Sequence, residues 1–322
     1  MAVKAVIGFE HLPQNDTTWI NYATHGMYRN ADLSAQTTIV NGWLQSNATS
    51  SGAERVSIPL DPYLVSPVAK LWFGYRCRIT KNAKGGAGIV YLGGSYVLLD
   101  TVLPVTGNTV YIEMSYEVAT GTVERWVDGV KIANSATGTG RSMLLGLEAK
   151  GSLNGQYDYR DFYICDDQGV AQGLPIGPLG PQIVGPITCD SASGSDWTMT
   201  PGSATLLEAI NEPGAIPTAK IATSNTTTKG QLTASLKATL PAGAIVTAIE
   251  LITGLSSAGG SAVTCATKLK SGANEVAGRT LQGPSGSYDY NGSIGVFHKN
   301  PAGATWDNAS IDATDFILSP DA

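Results

Sequence analysis

Two carboxylates four residues apart, in Glu113-Met-Ser-Tyr-Glu117, are the side chains of this sequence best placed for acid–base chemistry. A carboxylate pair on one strand face can cleave a glycosidic bond, one group as acid and the other as base or nucleophile. The spacing opposes it. Residues four apart stand about 13 Å apart along a strand. The carboxyls of a retaining pair lie about 5–5.5 Å apart, and those of an inverting pair about 6.5–9.5 Å. The expectation is a solvated strand face and no catalytic residue.

The other reactive types assemble no better. His11, His25 and His298 stand far apart, with no H-E-x-x-H and no G-x-S-x-G around any serine. Cys77, Cys165, Cys189 and Cys265 are too scattered for a zinc knuckle and give no disulfide framework. Cys77 alternates with Arg76 and Arg78 and reads as a small buried hydrophobe. Asp166 and Asp167 could offer a calcium rim, but adjacent aspartates point apart on an extended chain, which favours a charged loop. Tyr157, Tyr159, Tyr163 and Arg160 suit a sugar contact or sheet packing, and packing is the expectation. Lys81–Gly88 is Gly-rich without a phosphate-loop pattern. No metal and no cofactor are predicted.

The elements that carry these residues are strands. In Thr109–Ala133, Val110, Ile112, Met114, Tyr116 and Val118 alternate with Thr109, Tyr111, Glu113, Ser115 and Glu117. That period of two predicts one buried and one wet face. Asp128-Gly129 is a two-residue hairpin signal needing positive φ at both positions. Leu71, Phe73, Tyr75, Cys77 and Ile79 share another strand face, with Arg76 and Arg78 opposite. Further strands are expected at 54–60, on both sides of Gly93-Gly94, at 142–147 and at 159–165. About ten strands in the first half fit two stacked antiparallel sheets.

From Gly169 to Thr188 four prolines and five glycines exclude a helix or a central strand. Leu174, Ile176, Leu179, Ile183 and Val184 make this an ordered arm that docks on a neighbour. The domains are therefore 1–168, a linker arm 169–188, and 189–322, a smaller β-sandwich with strands at 231–240, 244–253 and 261–270. One helical turn is expected from Ile311 before the last strand.

The chain has 322 residues, 38 of them glycine, and a net charge of −6 without a basic run, which argues against a nucleic-acid groove. No apolar run reaches membrane length, so no membrane partner is expected. The opening residues lack a basic segment followed by a long apolar one, which predicts no signal peptide.

The strand–turn–strand with Trp126-Val-Asp-Gly129 resembles the central sheet of concanavalin-A-like and laminin-G-like jelly rolls. Family 16 glycoside hydrolases share that fold and use a motif similar to E-x-D-x-E; here Ser115 replaces its middle acid, so the resemblance implies no enzyme. Asp161-Phe-Tyr-Ile-Cys-Asp-Asp-Gln-Gly169 resembles the end of the first domain in tailed-bacteriophage structural proteins that pair such a jelly roll with a C-terminal β domain. His298-Lys-Asn-Pro301 through Trp306 to Leu318 is similar to the close of that second domain. The resemblance implies a virion component, made in the host cytoplasm: a decoration, collar, fibre or tail-surface subunit. Its partners would be other virion proteins and copies of itself, with a trimer favoured because phage surface fibres usually assemble so. A rival expectation is an adhesin that grips a host surface glycan through exposed Trp19, Trp43 or Trp126.

Overall fold

The computed structural model describes residues 2–7, 28–29, 37–48, 54–59, 63–65, 67–81, 86–92, 95–98, 109–137, 142–149, 155–168, 179, 182–184, 187–194, 198–199, 205–211, 221–222, 231–238, 240–241, 244–252, 255–256, 263–283, 288–289 and 293–321. The chain divides into two compact units, Met1–Gly185 and Pro186–Ala322.

The first unit is all β. Its strands are β1 (Ala2–Ile7), β2 (Tyr28–Arg29), β3 (Thr37–Val40), β4 (Trp43–Ala48), β5 (Glu54–Pro59), β6 (Lys70–Lys81), β7 (Gly86–Leu92), β8 (Ser95–Leu98), β9 (Thr109–Glu117), β10 (Thr122–Val127), β11 (Val130–Thr137), β12 (Ser142–Ala149) and β13 (Gly155–Asp166). The larger sheet runs β11-β10-β9-β6-β13-β4-β3, with β1 also paired to β13, and the smaller runs β2-β5-β12-β7-β8. This antiparallel sandwich is the expected fold class.

Alternation sets which residues the larger sheet buries. Leu71, Phe73, Tyr75 and Cys77 of β6 are 0–1 % exposed and define its inner face. Ile112 and Met114 of β9 are register partners of Tyr75 and Phe73 and complete the layer. Tyr75 stacks on Phe162 at 5.4 Å and meets Tyr159 at 6.0 Å, so Tyr159 is a packing residue as expected. Asp128 and Gly129 have φ of 46° and 80°, the pair of positive values that the two-residue hairpin between β10 and β11 demands. Asp128 also ties that hairpin down: its Oδ1 accepts the Tyr111 N–H at 2.8 Å.

One expectation fails. Tyr111, Glu113 and Ser115 were expected to face water, yet they are 2 %, 0 % and 0 % exposed. Strand β9 lies inside the sheet; its neighbours carry Trp72 in register with Ser115 and Trp126 in register with Glu113 on that outer face, and Tyr163 of β13 stands one strand further, beyond Gly74. Those rings cover polar side chains that would be wet on an edge strand.

In the second unit, strands Leu232–Lys237, Asp315–Asp321 and Val263–Ser271 lie side by side in a six-stranded antiparallel sheet. Leu236 and Leu269 pack with Ile249 and Phe297 of a two-stranded sheet, and with Trp306 and Ile311. Trp306 Nε1 donates to the Phe297 carbonyl at 2.9 Å. The helical turn before the last strand spans Asn308–Asp312, three residues earlier than expected, because Asp307 caps it through the Ser310 N–H and Ser310 answers with its own side chain.

Candidate functional site

The outer face of the larger sheet collects the side chains that sequence reasoning singled out. One row crosses five strands: Lys131, Trp126, Glu113, Gly74 and Tyr163. Tyr163 donates its hydroxyl to Glu113 Oε1. Burial first, then the neighbouring Tyr111 and Glu113, push the Tyr163 phenol well above its usual range, so it remains a donor. Glu117 is exposed at the end of the strand and accepts from the Thr120 hydroxyl at 3.1 Å. The two carboxylates thus occupy unlike surroundings, one beneath aromatic rings and one in water.

A second feature was missed. The register of β13 against β6 shifts between Arg160 and Tyr163, and Asp161 sits there with φ of 57°. This bulge turns Asp161 onto the outer face. Its carboxylate, 1 % exposed, pairs with Arg76 Nε at 2.8 Å and Arg160 Nε at 3.1 Å. It also accepts the Val184 N–H at 3.0 Å, while Arg76 donates twice to the Gln182 carbonyl at 3.2 Å. The arm is therefore held on the first unit by its backbone. Ile183, between the two clamped residues, is 71 % exposed, whereas Leu179 and Val184 are half-buried. Leu174 and Ile176 lie outside the described residues. The signal for the bulge is present in the sequence: inward rings fall at Tyr159 and then Phe162, breaking the period of two at Arg160-Asp161.

Cations and indoles interleave across this face. The Arg78 guanidinium lies 4.0 Å from the centre of the Trp43 ring and that of Arg160 lies 5.2 Å away. Arg78 Nε also donates to buried Asp158 at 2.8 Å. Lys70 stands 5.4 Å from Trp72 and Lys131 5.7 Å from Trp126. Both lysines donate to Glu124, and these bonds, that from Lys131 first, hold its carboxyl down at about 2. Trp43 and Trp126 are half-buried, less open than the sequence reading expected, and Trp43 already carries a guanidinium on its ring; Trp19 lies outside the described residues.

The acidic pair at the end of β13 is occupied by the protein itself. Buried Asp166 pairs with Lys4 at 2.9 Å and accepts the Gln168 N–H, and Asp167 receives the Ala69 N–H through both oxygens. All four cysteines are free thiols. Burial pushes the Cys77 and Cys165 thiols up, away from nucleophilic or ligating use. Among the described residues no group of three or more His, Cys, Asp or Glu side chains could hold a metal ion, and no helix is long and apolar enough to cross a membrane.

No family model and no curated protein matches the chain. Solved structures match part of the chain at low identity and low TM-score. A sialidase is 12 % identical with a TM-score of 0.34, over 45 % of this chain and 17 % of the sialidase. The lectin UEA-II, solved with galactose, is 10 % identical with a TM-score of 0.32, over 51 % of this chain and 99 % of the lectin. Arcelin-5, a lectin-like defense protein from Phaseolus vulgaris, is 12 % identical with a TM-score of 0.32, over 51 % and 98 % of the two chains.

Proposed function

We propose that this chain is a non-enzymatic virion subunit of a tailed bacteriophage that acts by binding, with a host surface glycan as the ligand of its first unit. The motifs at Asp161–Gly169 and His298–Leu318 supply the virion half of the reading. The observation that carries the binding half is the outer face of the larger sheet. There half-buried Trp43 and Trp126 stand with the cations Arg78, Arg160 and Lys131 on one side of the sheet. Sugars are held by that combination of ring surface and convergent polar groups. Catalysis draws no support there, because Glu113 is buried against Tyr163 and Ser115 separates it from Glu117.

An assembly role is favoured by a separate observation. Ile183 projects 71 % exposed from a backbone fixed at both flanking residues. A pre-ordered apolar side chain loses little entropy on docking. This fits contact with other virion proteins or with copies of this chain. Reconstruction of the native particle tests the reading: density for this chain on the virion surface is expected, and a purified particle without it overturns the virion assignment.

A further inference from the structure

The charges on the outer face are sorted by depth. Lys70, Arg76, Arg78, Lys131 and Arg160 are exposed by 29 %, 27 %, 31 %, 56 % and 25 % of their side-chain surface. Of the described carboxylates beside them, Asp158 and Asp161 are 0–2 % exposed as side chains and Glu113 is 0 % exposed, whereas Glu124, at 27 %, and Glu117, the register partner of Lys70 at the strand end, reach water. Five cations thus stand among five carboxylates, and three of the five lie at the bottom of the layer. An approaching molecule meets ammonium and guanidinium groups first, although the whole chain carries −6.

Resting on the glycan reading above, we propose that the ligand of this face is an anionic sugar polymer bearing carboxylates. Three features select that class. Guanidinium groups match carboxylates with paired N–H donors, and Arg78 and Arg160 commit their Nε to Asp158 and Asp161 from the sheet side. Arg78 and Arg160 lie over the Trp43 ring and Lys131 over that of Trp126, so a sugar that pairs with these cations meets an indole at the same place. The charges are also spread out: Lys131 on β11 and Arg160 on β13 are four strands apart, about 19 Å across the sheet, with Lys70, Arg76 and Arg78 on β6 between them. That spacing suits a polymer with one carboxylate per sugar or two. Nucleic acid, with a charge every ~1.7 Å of duplex, would need a denser basic surface.

The test titrates the full-length protein with polygalacturonate and with the same polymer after reduction of its carboxyls to alcohols. Binding to the acidic form is expected, weakening steeply between about 0.05 M and about 0.5 M salt. Lys131→Gln, at an exposed position, and Arg78→Gln should each lower affinity by about tenfold, while Lys131→Gln still unfolds cooperatively and loses only the stability of its Glu124 pair. Equal binding to both polymers overturns the charge inference and leaves the glycan reading intact. Equal binding to linear polyphosphate also overturns it, since the face would then be a general polyanion surface. Failure to bind polygalacturonate overturns it too. If a panel of neutral and acidic host glycans is likewise unbound, the glycan reading falls with it.

Discussion

Gly74 and Tyr163 are register partners on β6 and β13, and a Cβ on Gly74 would lie 2.0 Å from Tyr163 Cε1 and 2.6 Å from the Tyr111 hydroxyl. The missing side chain is the space that lets the Tyr163 ring lie over the sheet and donate to Glu113. Gly74→Ala should therefore cost about 1–3 kcal/mol by overpacking. Chemical denaturation checks it; an unchanged midpoint would mean that Tyr163 has another position available.

Gly129 has φ of 80° with open space around its Cα, so only backbone conformation penalises a side chain there. Gly129→Val should destabilise the first unit by about 1–3 kcal/mol. Gly129→Asn, which tolerates positive φ, should cost less. Equal effects for the two in thermal unfolding would contradict the turn assignment.

Glu124 gives a pH signature. Its carboxyl is held at about 2 by Lys131 and Lys70, below the ordinary value of 4.5. A depressed folded value means stability that is full above about 4.5 and lost as pH falls towards about 2. The difference in melting temperature between the parent and Glu124→Gln should be present at neutral pH and shrink across that window. A difference independent of pH would show that the charge has no part in it.

Asp161 fixes the arm, so Asp161→Asn should loosen residues around Val184 and raise proteolysis there, while the inner core survives. For assembly, the parent should sediment as a homo-oligomer, with a trimer expected. Ile183→Asp, or polar substitution at Leu174, Ile176 and Leu179, should yield folded monomers. A monomeric parent would remove the assembly role of the arm.

How much of this was legible follows from where each signal resides. The Asp128-Gly129 turn and the inner face of β6 are local: residue type and a period of two determine them. The burial of Glu113 is not local, since it depends on Trp126 and Tyr163 arriving on neighbouring strands. The short helix Leu206–Asn211 in the second unit went unforeseen because six residues are too few for a helical period to stand out. The anchor of the arm on its own unit was not foreseen, because it is polar, through Arg76, Asp161 and the backbone of Gln182 and Val184, whereas the apolar side chains of the arm were read as a contact to a neighbouring subunit. The parity break between Tyr159 and Phe162 was readable, and it was the one clue to Asp161.

The most direct measurement is glycan-array binding by the purified full-length chain, compared with Trp126→Ala on the outer face and with Lys268→Gln in the second unit. Lys268 pairs with Glu275 at 3.0 Å on that unit's own sheet and serves as a control. The account predicts that the parent and Lys268→Gln bind the same host glycans and that folded Trp126→Ala loses them. Retention of binding by Trp126→Ala, or no glycan bound by the parent, would contradict it.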